Sequence, residues 1–297
     1  MRVIVTGANG FIGSSLIKKM VANGIEVVAL DRSFAPCRVE KSKLVTIVTC
    51  ELGNADDMLK CIPDGEYDAF YHFAWQGVNG PDKADPIVQL KNCQMTINCA
   101  IVAKKLNCKK LLCAGTVAEQ ATNSLPYLEK TSGGMMYGVA KHCSHLILEN
   151  YCKNIGQKFV WMQFSNIYGP SNKTGNLVSY TIGELMEKHE ATFGPAMQPY
   201  DFIYVEDLIE AVYRIGINET ADNCYFIGSG EPRILKDYLL EIGRACGHEE
   251  LIKIGIRPDD GIVYTWEMFD TSKLKSAIGE YVTKNFEEGI KYTVENY

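Results

Sequence analysis

The chain has 297 residues, of which 46% are hydrophobic and 22% charged, so it can bury the core of one large domain or two modest ones. A formal net charge of −6 and the lack of any Lys/Arg-rich run argue against a nucleic-acid surface, so phosphate groups must be bound locally. Eleven cysteines, an odd number without a CxxC pair, read as reduced thiols of a cytoplasmic protein. The opening MRVIVTGANG resembles neither a signal peptide nor a membrane span, and no longer apolar stretch follows.

Short apolar runs at Arg2–Val5, Glu26–Leu30, Leu44–Val48, Ala69–Phe73, Lys110–Cys113 and Lys158–Phe164 are predicted strands. Between them, Ile12, Leu16, Ile17 and Met20 mark one helix face, and Val88–Leu106 and Met136–Cys152 give longer helices. This alternation is the pattern of βαβ units, hence an α/β, doubly wound parallel sheet with ligands beyond the carboxyl ends of its strands. After Gln163 the pattern loosens into SNIYGPSNKTGN, a helix over Leu177–Lys188, the segment DFIYVEDL, a strand CYFIG, a helix near Leu235–Cys246 and a polar tail. The expected organisation is a dinucleotide-binding domain over 1–165, with a return segment around 200–230, and a smaller substrate-binding cap over 166–297.

Gly7, Gly10 and Gly13 follow a strand and open a helix in GxxGxxG spacing. Glycine there permits a tight turn and close backbone approach to a pyrophosphate, and the helix N-terminus favours the anion. Asp31, at the end of the next strand, can accept hydrogen bonds from the adenosine ribose hydroxyls. It therefore favours NAD over NADP, although Arg32 beside it leaves NADP possible.

Tyr137 and Lys141 lie i,i+4 in YGVAK and share a helix face. Thr116 follows the strand LLCAG at the same sheet edge, so a hydroxyl, a phenol and an ammonium converge. Lys141 and a cationic nicotinamide are expected to lower the Tyr137 pKa and make it an acid–base group, with Thr116 holding the substrate oxygen.

On these residues the chain resembles the extended short-chain dehydrogenase/reductase family, in its NAD-dependent sugar epimerase/dehydratase branch. TGANGFIG is similar to the cofactor turn, YHFAW to the HxAA-type strand end, YGVAK to the catalytic helix, SNIYGP to the NxYGP loop and DFIYVEDL to the RDFIYVxD segment. The tail FDTSKLKSAIG with FEEGIKYTVENY resembles the closing helices. The resemblance implies a Rossmann-type fold with Tyr137 as acid–base, Lys141 on the nicotinamide ribose, Thr116 as hydroxyl partner and Asn92 arranging a water near Lys141. The implied cofactor contacts are Gly7, Asn9, Gly10, Phe11, Ile12, Gly13, Asp31, Arg32, Glu51, Leu52, Phe73, Ala74 and Trp75, with Tyr137 and Lys141. The implied substrate contacts are Trp75, Thr116, Asn166, Asn176, Tyr200 and Arg257. A homodimer through Val88–Leu106 and Met136–Cys152 is implied as well.

Departures from the family pattern narrow the chemistry. Val117 and Ala118 stand where sugar 4,6-dehydratases carry two carboxylates, which disfavours dehydration; Glu119 reads as a structural ion-pair partner rather than a substrate contact. Tyr200 replaces the RDF arginine and Gln163 that of LRxxN, leaving Arg257 and Lys173 for phosphate. Trp75 and MQPYDFIYV are more similar to sugar-nucleotide 4-ketoreductases than to 4-epimerases. The expectation is an NAD(P)-dependent reductase of the 4-dehydro-6-deoxysugar type acting on a nucleotide-activated sugar. The alternatives are a nucleotide-sugar 4-epimerase with tightly bound NAD, and a nonenzymatic dinucleotide-binding sensor. The five histidines form no ligand-spaced set, and no metal site is expected.

Overall fold

The computed structural model describes residues 1–172, 174–221, 223–259 and 261–297. Its first half runs β1 (Arg2–Thr6), α1 (Phe11–Ala22), β2 (Glu26–Asp31), β3 (Val45–Thr49), α2 (Ala55–Cys61), β4 (Ala69–His72), α3 (Pro86–Lys105), β5 (Lys110–Thr116), α4 (Ala118–Ala121), α5 (Met135–Ile155) and β6 (Phe159–Phe164). The second half adds β7 (Asn166–Tyr168), α6 (Leu177–Met186), β8 (Ala191–Thr192), β9 (Pro199–Tyr200), β10 (Phe202–Tyr204), α7 (Val205–Ile217), β11 (Asn223–Ile227), β12 (Arg233–Ile234), α8 (Leu235–Cys246), β13 (Ile252–Lys253), α9 (Ser272–Ile278) and α10 (Phe286–Glu295).

Successive strand residues point to opposite faces, so a strand buried on both faces must be apolar throughout. Val3 and Val5 join the core shared with α1 and α7, whereas Ile4 between them joins the core shared with α2, α3 and α5. Seven parallel strands result, in the order β11-β6-β5-β4-β1-β2-β3. Chain direction across the sheet reverses between β1 and β4, and a crevice opens there beyond the strands' carboxyl ends.

Element ends differ from expectation for local reasons. The third helix starts at Pro86 rather than Val88 because Asp85 caps it, accepting the Ile87 and Val88 N–H groups at 2.8 and 3.1 Å, and proline suits the first turn. Helix α5 continues past Cys152 to Ile155, where Gly156 closes it at φ 63°. Strand β5 extends to Thr116 because Ala114, Gly115 and Thr116 still pair with Met162, Gln163 and Phe164. Helix α6 stops at Met186, two residues before the left-handed Lys188. DFIYVEDL is two elements, β10 leading directly into α7.

In the C-terminal part, Tyr168, Phe202, Tyr238 and Phe286 pack ring against ring, with centroids 4.6–6.3 Å apart. These aromatics belong to the same core as Val3, Val5 and the apolar faces of α1 and α7. Among the described residues, no helix is long and apolar enough to cross a membrane.

Candidate active site

At the end of β1, Gly7 turns with φ 66°, and a Cβ there would come within 2.7 Å of the Ala74 backbone after β4. A Cβ on Gly13 would collide with the Gly7 carbonyl, so turn and helix touch only because Gly13 has no side chain. Gly10 caps α1 without a side-chain hydrogen bond and no acidic residue occupies the first turn, so the helix N-terminus keeps its affinity for an anion. A cavity of about 260 Å³ runs from this turn past Asp31, Arg32, Glu51, Leu52, Phe73, Ala74 and Trp75. The Asp31 carboxylate accepts the Asn9 backbone N–H at 3.0 Å and still borders that cavity. This cradle fits a dinucleotide: glycines where a backbone must come close, an open helix end, and an acid one strand away. Asn9 turns its side chain elsewhere, donating to Ser33 and Pro36 carbonyls and accepting the Arg38 N–H, which ties down the loop after β2.

A second cavity, about 550 Å³, shares Gly7, Gly10, Phe73 and Trp75 with the first. Phe11, Ile12 and Gly13 border it on one side, and Thr116, Tyr137, Lys141, Asn166, Asn176 and Tyr200 on the other. Tyr137 and Thr116 both line this cavity, and the Thr116 hydroxyl stands close enough to the phenol to favour its ionised form. Burial pushes the Tyr137 phenol above its ordinary range; the Thr116 hydroxyl works against that rise, and the Glu119 charge adds to it. The expected lowering by Lys141 is thus not found in the protein's own groups. Lys141 is 3% exposed, donates to the Ala114 carbonyl at 2.5 Å, and lies 3.7 Å from the centre of the Trp75 ring. Burial brings its pKa down from 10.5 to about 8, with Glu119 opposing the fall.

Trp75 is held in turn. Its indole N–H donates to Gln89 Oε1 at 2.9 Å, and its ring meets Tyr137 edge-on at 6.0 Å. Asn92 is fully buried. Its amide accepts the Gln76 N–H at 2.9 Å and donates to the Gln76 carbonyl at 2.8 Å, so it fixes the segment that carries Trp75. His72, of the HxAA-type motif, is buried between Thr6 and Thr96 hydroxyls at 2.8 and 3.0 Å, and burial drives its pKa down to about 3.

A third cavity, about 400 Å³, shares Lys83, Thr116, Tyr137, Asn166, Leu177 and Tyr200 with the second and is also lined by Arg257. Tyr200 donates to Asn166 Oδ1 at 3.0 Å. Arg257 donates to Thr192 and Tyr180 hydroxyls at 2.8 and 2.7 Å. Asn176 caps α6 and donates to the Ile167 carbonyl. Lys173 lies outside the described residues. Sequence reasoning missed Lys83, whose ammonium is 5.8 Å from the Tyr137 ring centre; its only signal was a place in the loop between β4 and α3. Glu119, expected as a structural ion-pair partner, is 1% exposed, with His145 Nδ1 at 3.5 Å and with Trp161, Gln163 and the Thr116 backbone donating to it.

Fold and groove together define an α/β protein with a dinucleotide cradle opening onto a polar, hydroxyl-lined cleft. The chain belongs to the NAD-dependent epimerase/dehydratase family, whose model matches residues 3–228. The family is one of enzymes, and its cofactor is NAD. UDP-glucuronic acid decarboxylase 1 of Arabidopsis thaliana is 26% identical over 230 residues, covering 74% of this chain and 52% of that protein. The chain therefore spans about half the length of that relative. UDP-glucose 4-epimerase of Thermotoga maritima, solved with UDP-glucose, superposes with a TM-score of 0.82 at 20% identity over 99% of this chain and 98% of that one. UDP-glucose 4-epimerase of Thermus thermophilus, solved with NAD, gives a TM-score of 0.82 at 22% identity, covering 100% and 98%. At these identities the structural likeness establishes the fold.

Proposed function

We propose that this protein moves hydride between NAD and a ring carbon of a nucleotide-activated sugar, with reduction of a 4-keto sugar as its net reaction. The observation that carries this reading is the meeting of the Thr116 and Tyr137 hydroxyls where the cofactor-side and substrate-side cavities join. Gly7, Gly10, Gly13 and Asp31 hold the dinucleotide, and bound NAD supplies the hydride chemistry. Tyr137 gives a proton to, or takes one from, the sugar oxygen. Thr116 steadies that oxygen and the phenol together, and Lys141 keeps positive charge beneath them. Arg257 and Tyr200 take the nucleotide end of the substrate. Val117 and Ala118 offer no carboxyl for loss of water.

The second reading is 4-epimerisation, favoured by the likeness to the two UDP-glucose 4-epimerases. It uses the same residues but needs the keto sugar to turn over before hydride returns. Supplying 4-keto and 4-hydroxy sugar nucleotides with and without NADH separates the two. Stoichiometric NADH consumption supports reduction; interconversion without net consumption supports epimerisation. Absence of turnover with every sugar nucleotide would refute both and favour a sensor. Tyr137→Phe is expected to lower turnover by about a hundredfold or more while NAD still binds.

A homodimer through α3 and α5 is part of this proposal. Ile87 and Leu90, one turn apart on α3, and Leu146 and Ile147 on α5 are exposed apolar side chains. Sedimentation at micromolar concentration tests it, and replacing Leu90 and Leu146 with Glu should shift the protein to monomer.

A further inference from the structure

Behind the wall of the cleft, on the side away from the cavities, a carboxylate is enclosed by donors. Glu119 sits in α4, three residues after Thr116. Its Oε1 accepts the Thr116 backbone N–H at 2.6 Å, and the Trp161 indole N–H bridges Oε1 and Oε2 at 3.1 and 2.9 Å. The Gln163 amide donates to Oε2 at 3.1 Å, and His145 Nδ1 stands 3.5 Å from the same atom. His145 is itself stacked on Trp161, with ring centroids 4.9 Å apart and planes within 3° of parallel. A fold does not gather this many donors around one side chain without an acceptor of matching capacity, and a carboxylate offers about four lone pairs.

The enclosure acts on two groups of the candidate site. Gly115 cannot carry a Cβ, which would strike both Trp161 and Glu119, and the next N–H is pinned by Glu119. The end of β5 is thereby locked, and with it the Thr116 Oγ that accepts the Ala118 N–H at 3.3 Å and meets Tyr137. Lys141 is the buried cation of the same region: its ammonium lies 5.9 Å from the centre of the Trp161 ring whose N–H donates to Glu119, and Glu119 is the first of the groups that favour its charged form against burial.

We propose that Glu119 is a positioning residue: it fixes the Thr116 hydroxyl against Tyr137 from behind the cleft and serves as the countercharge of the Lys141 ammonium. The proposal rests on the oxidoreductase reading of the site. It differs from a general packing role because it ties one carboxylate to two measurable properties, the geometry at Thr116 and the charge at Lys141. The titratable groups that face Glu119 are Tyr137, Lys141 and His145 on α5 and Cys224 on β11, with Glu149 and Lys273 further out around His145 and Cys224. His145→Asn therefore serves as the control for any effect that comes from the imidazole.

Two substitutions separate the roles. Glu119→Gln keeps the shape and an acceptor for the Thr116 N–H but removes the charge, and Gln163 can turn its own carbonyl toward the new amide. Glu119→Asp keeps the charge but draws the carboxylate back from Thr116. In the full-length protein with NAD, kcat, KM and NAD affinity are measured across pH. The charge on Lys141 is followed independently through the pH dependence of Trp75 fluorescence, with Trp75→Phe as baseline, since the ammonium lies 3.7 Å from that ring.

For Glu119→Gln, kcat should fall about tenfold or more with KM and NAD affinity within about twofold, and the Trp75 midpoint should drop by about one pH unit. For Glu119→Asp, kcat should fall while the midpoint stays. Wild-type kcat and an unmoved midpoint in Glu119→Gln would overturn the proposal, as would a shift reproduced in full by His145→Asn. If the wild-type protein turns over no sugar nucleotide, the oxidoreductase reading fails by itself. The Trp75 midpoint then decides the countercharge role: movement with Gln and not with Asp supports it, and no movement refutes it. Should the Gln variant not fold, a kcat in the Asp variant equal to wild type overturns the positioning of Thr116.

Discussion

Replacing Lys141 by Met tests the electrostatics of the cleft at a single position. The side chain is 3% exposed, and burial takes its pKa from 10.5 to about 8 in the folded chain. Between those values the unfolded state holds a proton that the folded state has released, so folding stability rises with pH across that window. At about 1.4 kcal/mol per unit the rise amounts to about 3 kcal/mol, and the contribution is flat below pH 8 and above pH 10.5. Lys141→Met has no proton to release and lacks that rise. Urea unfolding of both proteins at half-unit steps from pH 7 to 10.5 gives the difference curve. Titrating groups that do not feel Lys141, Tyr137 among them, cancel in the difference; Cys93 and Cys113, whose thiols the Lys141 charge favours ionising, are replaced by Ser in both proteins. The protein that keeps Lys141 should gain about 3 kcal/mol on the variant between pH 8 and 10.5. Parallel curves would refute the claim that this lysine titrates low because it is buried.

Three further outcomes are expected. His72, with its pKa lowered to about 3, favours the folded state only when neutral, so stability should fall as pH drops below about 6.5, by about 1.4 kcal/mol per unit. In His72→Gln the acid limb of the unfolding profile should be shallower by that slope, and an unchanged limb would count against it. Gly13→Ala pushes a methyl into the Gly7 carbonyl, so thermal melts should show a loss of about 1–3 kcal/mol, and calorimetry a weakened affinity for NAD. Arg257→Met should raise KM for a sugar nucleotide about tenfold and leave kcat nearly unchanged in steady-state assays, because the arginine lines the third cavity but not the one that holds the glycine turn and Lys141.

The parts of the molecule legible from its residues are those where one physical demand dominates. Ile4 and Val28 had to be apolar because both faces of their strands are covered, and Gly7 and Gly13 had to lack a side chain because two backbones touch there. Sharing of a helix face by Tyr137 and Lys141 followed from the helical repeat. Illegible were features decided by distant partners. Nothing near Glu119 announces that Trp161 and Gln163, from a strand more than forty residues on, will enclose it. Lys141 looked like a partner for Tyr137, but the tryptophan that follows the HxAA-type motif lies under its ammonium instead. Asn92 shares a helix with Thr96, yet its amide is committed to the Gln76 backbone, a contact set by how α3 packs on the loop after β4. The start of α7 was hidden because β10 runs into it without a turn residue between them.

The sheet closes with β11, which comes from residues 223–227 and pairs along β6. Just before it in the chain, α7 lays Gly216 against the Tyr71 hydroxyl and joins Glu210 to Lys19 of α1. A ribosome that has delivered only the glycine turn, the YGVAK helix and β6 has therefore made a sheet with an unpaired edge and one face partly uncovered. Such an edge invites pairing with another nascent chain. The nucleotide cradle is encoded within the first 31 residues, whereas the helix packed on α1 and the strand paired with β6 come from residues 205–227.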